Sequence, residues 1–207
     1  MNTAGKVNYD RLMTEEIEKL KGEGKTPALV LHACCAPCAS VATERLNGAF
    51  NIRLYFYNPN IDGEKEFSLR EKEVMRLAEK DGVNFTAEPF YPSEFYSAVK
   101  GFEGCHEGGE RCLKCFYLRL KKTAEYAEKE GADYFSTTLT TGPKKNAEII
   151  NSIGFRVEKE TGVKFLPCDF KKRGGFYRSV ERCRIEGFYR QNYCGCVFSK
   201  QGRQTDK

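Results

Sequence analysis

The segment LHACCAPCAS, at residues 31–40, places three cysteines within five positions directly after a short apolar run. Thiolates exchange disulfides, carry electrons as dithiols and ligate soft metals, so three chemistries are open to this segment. Cys35 and Cys38 form a CxxC pair around Pro37 at a predicted strand–helix junction. That placement is typical of a thioredoxin-type dithiol, because a helix N-terminus lowers the pKa of a thiol. The adjacent Cys34 is not explained by a dithiol carrier.

A second CxxC pair, Cys112 and Cys115, lies at the start of a predicted long helix. Residues three apart share one turn of a helix, so both sulfurs can approach one metal centre. The positive end of the helix dipole offsets the charge of two thiolates there. One cysteine could simply fill a helix interface, but a spaced pair favours ligation.

A third group of cysteines is the CxC of Cys194 and Cys196, with Gly195 between them. The glycine lets the backbone turn so that both sulfurs face one way. Such a pair can form an easily reduced disulfide or hold a second metal ion. Asp169 could add an oxygen ligand or a proton to that site, although an aspartate near a turn is more often a cap. Cys105, Cys168 and Cys183 follow no informative spacing, and the role of Cys38 beyond its CxxC stays open.

The cysteine count favours metal or redox chemistry over structural disulfides. The chain has 10 cysteines and 2 histidines, and we find neither a signal peptide nor a membrane-spanning run, so we expect a cytoplasmic protein with reduced thiols. Zinc would find little imidazole, and a vicinal pair is a poor zinc knuckle. Iron–sulfur clusters take four thiolates. A plausible set is Cys34, Cys35, Cys112 and Cys115.

Strand and helix patterns alternate along the chain, which predicts a single α/β domain over residues 1–207 with a mostly parallel sheet covered on both faces. After a polar, amphipathic N-terminal segment we predict strands at 27–33, 51–57, 83–88, 133–139 and 164–167. The predicted helices are 36–46, 64–80, 94–100, 111–130 and 145–153. Ligands gather at the carboxyl ends of such strands, where the cysteines and Asp169 would meet.

Basic and aromatic residues are interleaved in residues 171–190, which contain only two acidic residues. Such a mixture suits a phosphate backbone and unstacked bases, whereas the plainer interpretation is a solvated helix face. This stretch leads into the CxC pair, so we predict that a basic C-terminal segment, residues 170–207, packs at the rim of the site. The candidate RNA-binding cations are Lys144, Lys145, Lys171, Lys172, Arg173 and Arg190.

Six motifs in register resemble the cobalamin-independent epoxyqueuosine reductase family. They are LHACCAPC, FYNPNI, EGGERCLKCFYLRL, FSTTLTTGPKKN, DFKKRGG and YRQNYCGC, and they spread over nearly the whole chain. The resemblance implies a Rossmann-like fold of the adenine-nucleotide-hydrolase (HUP) type with a cysteine-rich C-terminal extension. The SGGxDS phosphate loop of ATP-using members of that fold is missing, so adenylation of a substrate is not expected.

The resemblance also implies an activity: reduction of epoxyqueuosine to queuosine at the wobble position of tRNA. By the same resemblance, Cys34, Cys35, Cys112 and Cys115 match the ligands of a 4Fe-4S cluster, and Cys194 and Cys196 match a redox-active pair. We expect those two to act as a dithiol or, with Asp169, to bind an additional iron ion. The partners would be the tRNA and an external low-potential electron donor. The alternatives are a thioredoxin-like disulfide reductase and a zinc-bearing RNA-binding module.

Overall fold

The computed structural model describes residues 7–201, and residues 1–6 and 202–207 of the predicted domain and C-terminal segment lie outside it. Within the described residues five strands alternate with helices. The strands are β1 (Ala28–His32), β2 (Asn51–Phe56), β3 (Asn84–Ala87), β4 (Tyr134–Thr137) and β5 (Lys164–Phe165). The α-helices are α1 (Tyr9–Gly22), α2 (Ala36–Leu46), α3 (Glu64–Asp81), α4 (Pro92–Ala98), α5 (Glu110–Lys129), α6 (Ala147–Thr161), α7 (Gly175–Glu186) and α8 (Val197–Gln201).

The strands form one parallel sheet in the order β3-β2-β1-β4-β5. The order reverses beside β1, the central strand, which pairs with β2 on one side and β4 on the other. In an open parallel sheet this switch point is where ligands bind, outside the carboxyl ends of the strands. The predicted α/β fold with a parallel sheet is confirmed.

Two buried clusters cover the two faces of the sheet. Leu29 and Leu31 of β1 point into the cluster that holds α2 and α3, whereas Val30 points into the cluster that holds α5 and α6. This alternation follows from the two-residue period of a strand. Because both faces of the sheet are covered, a ligand can reach the sheet at the carboxyl ends of its strands.

Some helices and strands begin or end at other residues than predicted, because local polar contacts determine their ends. The helix predicted at 145–153 begins at Ala147, because the Asn146 side chain caps it, and it continues to Thr161. The strand predicted at 133–139 ends at Thr137, and a short 3-10 helix, Thr138–Thr141, follows it. The 171–190 stretch contains α7, whose inner side packs on α2.

Among residues 7–201, no helix combines the length and the apolar composition that crossing a membrane requires.

Candidate functional site

Three cysteine sulfurs meet at the carboxyl end of the central strand. The Sγ atoms of Cys34, Cys35 and Cys38 all lie within 4.8 Å of one another, and those of Cys34 and Cys35 are 3.7 Å apart. Cys35 occupies the N-cap of α2, and Pro37 sits in the first turn, where a missing N–H costs nothing. The loop therefore turns all three thiols to one side. Cys38 lies with Cys34 and Cys35, although the sequence analysis named only these two as ligands.

The three thiols differ in their pKa. Hydrogen bonds from Cys35 and Cys38 hold the pKa of Cys34 well below its usual value. The same contact with Cys34 raises the pKa of Cys35 to about 12, and it also raises the pKa of Cys38. One thiolate, at Cys34, is thus stabilised by two neighbouring thiol donors, which is the state in which a cysteine ligates metal.

A second cysteine group forms where the start of α5 meets the C-terminal segment. Cys115 and Cys196 lie in one small buried cluster with Phe95 and Val99. Burial raises the pKa of Cys115 to about 12, and the neighbouring Cys194 and Cys196 add to the rise. Cys112 is also buried, and its sulfur accepts a hydrogen bond from the Gly108 amide at 3.2 Å.

Lysine and arginine side chains supply the positive charge around these sulfurs. Lys145 Nζ lies 3.0 Å from Cys194 Sγ and 3.7 Å from a Glu107 carboxylate oxygen. Although burial acts to lower the pKa of Lys145, Cys194 and its other neighbours raise it above the usual value. Burial also acts to lower the pKa of the fully buried Arg119 of α5, but the neighbouring Cys115, Cys34 and Cys194 raise it above the usual value.

The Cys194–Cys196 turn is fixed by contacts to α3 and to the loop before it. Gly195 has φ of +125°, a region that L side chains rarely adopt, and its carbonyl accepts a hydrogen bond from Asp62 N at 2.8 Å. Arg70 Nη1 lies 3.3 Å from the Cys194 carbonyl oxygen, and its guanidinium stacks 5.1 Å from the centre of the Tyr193 ring. The structure thus has the backbone turn at Gly195 that the sequence predicts.

A cavity of about 300 Å³ opens onto both cysteine groups. Its wall includes Cys34 and Cys38 from the loop after β1 and Cys194 from the C-terminal segment. Phe176, Arg190 and Tyr193 from the C-terminal segment complete the wall together with Arg119 and Lys145. The cavity therefore combines sulfur, aromatic and cationic groups, a lining that suits a flat, anionic or hydrogen-bonding ligand.

Asp169 lies outside that wall. It is buried, its Oδ1 accepts from Lys171 Nζ at 2.7 Å, and it lines a neighbouring cavity with Lys144 and Lys172. Lys145 borders both cavities.

The predicted RNA-binding cations fall into two sets. Lys144, Lys172 and Arg190 are exposed at the rim of the two cavities. The other three are engaged within the chain: Lys145 with Cys194, Lys171 with Asp169, and Arg173 with Asp10. Of the unassigned cysteines, Cys168 and Cys183 are buried in the core, and Cys105 lies in the loop before α5.

Comparison with known proteins shows which family this chain resembles. The family described as "Epoxyqueuosine reductase QueH" matches residues 29–202. The chain belongs to this family. It is 40% identical over 212 residues to a QueH epoxyqueuosine reductase of Streptococcus pyogenes, covering 100% of this chain and 83% of the relative. A QueH of Thermotoga maritima is 38% identical over 177 residues, covering 83% of this chain and 89% of the relative. The predicted family is confirmed.

Solved structures extend the likeness of the fold beyond the QueH family. The U34-tRNA thiolase NcsA from Methanococcus maripaludis, with its 4Fe-4S cluster, superposes with a TM-score of 0.55 at 14% identity, covering 91% of this chain and 67% of NcsA. An NH3-dependent NAD synthetase from Campylobacter jejuni gives a TM-score of 0.50 at 10% identity, covering 97% of this chain and 84% of the synthetase. At these identities the likeness concerns the fold alone, and it agrees with the predicted HUP-like architecture.

Proposed function

We propose that this chain reduces epoxyqueuosine to queuosine in tRNA, with an iron–sulfur cluster as its electron-transfer group. The observation that carries the proposal is the convergence of cysteines from three parts of a QueH chain: Cys34 and Cys194 line one cavity, and the buried cysteines of α5 pack against these two segments. The reaction removes the epoxide oxygen as water and leaves an alkene, so it consumes two electrons and two protons. An external low-potential donor supplies the electrons, and the tRNA substrate favours the cytoplasm as the location.

The donor set fits such a cluster. Four thiolates hold a 4Fe-4S cluster, and we assign Cys34, Cys35, Cys112 and Cys115 as its ligands. Cys34 packs against the buried cluster that contains Cys112, which supports a site shared between the two groups. Cys38 is the alternative fourth ligand, because its sulfur lies with those of Cys34 and Cys35. When bound, a cluster supplies single electrons to a substrate beside it.

The chain's own side chains would orient the substrate and manage its protons. Phe176 and Tyr193 on the cavity wall can stack against an unpaired base, the usual way in which proteins hold a splayed nucleotide. Burial raises the pKa of Tyr193, so its hydroxyl keeps its proton near neutral pH and can donate it to a leaving oxygen.

The Cys194 and Cys196 pair would complete the electron supply or hold a further iron ion. Lys145 places a positive charge 3.0 Å from the Cys194 sulfur, which suits either role. If the pair holds an iron ion, Asp169 can be a further ligand only after its contact with Lys171 is broken. Metal analysis therefore separates the two roles.

Metal analysis of anaerobically purified protein tests the proposal. We expect brown protein with about four iron and four sulfide per chain, and more iron than sulfide if the CxC pair binds an ion. A thioredoxin-like reductase or a zinc module would be colourless, and either result would remove the proposed function.

Single Cys→Ser variants identify the ligands. Serine at Cys34, Cys35, Cys112 or Cys115 should lower the iron content, whereas Cys183→Ala, in the core away from the cavity, should retain it. Loss of iron in Cys38→Ser with retention in Cys112→Ser would assign the alternative ligand set.

Cys194→Ala should keep the cluster and abolish turnover of epoxyqueuosine tRNA. Undiminished turnover would exclude the CxC pair from the mechanism.

A further inference from the structure

Arg119 has an environment unlike that of Arg70 and Arg182, two other buried arginines. Arg111 also lacks a carboxylate partner in the described part of the chain, but it donates to backbone carbonyls of the loop before α5. Arg119 is 1% exposed, although it lies on a helix whose outer side faces solvent. Arg70 pairs with Glu66, and Arg182 pairs with Asp81 and Glu186. Between residues 7 and 201, by contrast, none of the ion pairs involves Arg119. A buried cation without a counter-charge is costly, so the identity of its partners matters.

The two hydrogen-bond acceptors of Arg119 are neutral. Arg119 Nη2 donates to Asn58 Oδ1 at 2.6 Å, and Nε donates to His32 Nε2 at 3.2 Å. A ring nitrogen that accepts this hydrogen bond carries no proton, so the His32 ring is neutral in this contact. Asn58 is itself fixed by its bond to the Ala33 carbonyl at 2.9 Å. These contacts aim the guanidinium but do not neutralise it.

The groups that can neutralise Arg119 are the cysteines. Arg119 lines the shared cavity together with Cys34 and Cys194, and Cys115 lies one helical turn before it on α5, so Arg119 is close to one cysteine from each of the three cysteine-bearing segments. The fold thus places a fixed, buried positive charge beside cysteines of all three segments, in addition to Lys145 at Cys194. A charge buried at low dielectric acts more strongly on its neighbours than one at the surface.

We infer that Arg119 is a positioning residue that provides the internal counter-charge of the cysteine site and raises the potential at which the bound cluster accepts an electron. The inference rests on the proposed function, because it requires the iron–sulfur cluster. The physical reason is that reduction adds a negative charge, which a nearby fixed cation stabilises relative to the oxidised state. Net charge and hydrogen bonding are two of the ways in which a protein sets the potential of such a cluster.

The test compares Arg119→Gln, which removes the charge, with Arg119→Lys, which keeps it, and with Arg182→Gln as the matched control. Arg182 is also buried, but its partners are Asp81 and Glu186, away from the cavity. Each full-length protein is reconstituted anaerobically. Circular dichroism, iron content and the cluster's midpoint potential are then measured by redox titration.

We expect Arg119→Gln to shift the oxidised-to-reduced ratio at a fixed potential by about tenfold toward the oxidised form, which for one electron is a midpoint about 59 mV more negative. Arg119→Lys and Arg182→Gln should remain close to the wild type. An unchanged midpoint in folded Arg119→Gln would overturn the inference and leave Arg119 a structural link between α5, His32 and Asn58.

If folded Arg119→Gln binds no iron, Arg119→Lys decides the outcome. Retained iron and a near-wild-type midpoint in the lysine variant would support the role of the charge, whereas loss of iron there as well would overturn it. A wild-type protein that binds no iron would instead refute the proposed function, so the two failures are distinguishable.

Discussion

Gly195 is the residue on which the shape of the Cys194–Cys196 turn depends. Its φ of +125° is unfavourable for any side chain, and an added Cβ would lie 3.1 Å from Arg70 Nη1 and 3.4 Å from Asn60 Nδ2. Such backbone conformations cost about 1–3 kcal/mol for residues other than glycine. The turn, and with it the two sulfurs, would therefore move before the neighbouring residues do.

We expect Gly195→Ala to lower turnover at least tenfold, since a rise of about 1.4 kcal/mol in the activation free energy lowers the rate by that factor. Gly104→Ala, at a glycine with open space around it and no positive φ, should leave turnover unchanged. Steady-state assays with epoxyqueuosine tRNA measure both. Wild-type turnover in Gly195→Ala would mean that the turn tolerates another conformation.

Residue types and spacing predicted the cysteines of the site but not their grouping. The CxxC of Cys35 and Cys38 was visible in the sequence, and its strand–helix position was the available sign that Cys38 lies with Cys34. Lys145 was predicted to bind phosphate, yet its ammonium contacts Cys194, a residue 49 positions away in sequence. A pairing of that kind depends on how loops close over the rim, which local patterns do not encode.

At the level of elements, α6 lies close to the edge of the sheet because Gly154 faces Phe165 of β5. A Cβ at Gly154 would lie 2.3 Å from the Phe165 ring. That ring is held between Phe135, with centroids 5.1 Å apart, and Phe155, with centroids 5.5 Å apart. The ring has no free space into which it could move, so the helix would have to shift.

Gly154→Ala should therefore lower the free energy of unfolding by about 1–3 kcal/mol, the usual cost of overpacking a core. Gly22→Ala, at the end of α1 with nothing within 4 Å, should be neutral or stabilising by up to about 1 kcal/mol. Urea unfolding measures both variants. Equal stability of Gly154→Ala and the wild type would show that α6 can retreat from β5 without loss.

Strands and helices with strong periodicity were predicted well, whereas their ends were not. The pattern of apolar residues was enough to predict β1, β2 and the long α5, since each of them buries a continuous face. The start of α6 depends on the Asn146 cap, and the end of β4 on a 3-10 turn in which the Thr137 hydroxyl accepts from Leu139 N. Side-chain bonds of this kind compete with regular structure over one or two residues.

For the molecule as a whole, the distribution of charge matters more than the net charge of +5. Exposed Lys144, Lys172 and Arg190 stand at the rim of the two cavities, on the side where the substrate would enter. Lys25 lies at the opposite end of β1 and pairs with Glu23. Binding of tRNA should therefore respond to the first set and not to Lys25.

Affinity for epoxyqueuosine tRNA should fall steeply with salt concentration, because each neutralised phosphate releases counterions. Lys172→Ala and Arg190→Ala should each reduce the slope of log affinity against log salt by about 1, whereas Lys25→Ala should leave it unchanged. Filter binding or fluorescence anisotropy at several salt concentrations measures the slopes. Equal slopes for all three variants would move the RNA-binding surface elsewhere.

The cavity wall draws on segments that leave the ribosome at very different times. Cys34, Cys35 and Cys38 emerge with the first strand, whereas Cys194 and Cys196 follow after all five strands. The turn that holds the latter pair is bonded to Arg70 of α3 and to Asp62 of the loop before it. Sheet assembly during translation can thus precede completion of the thiol site. The four proposed cluster ligands, by contrast, all emerge by residue 115, so the contact between Lys145 and Cys194 is the part of the site that forms last.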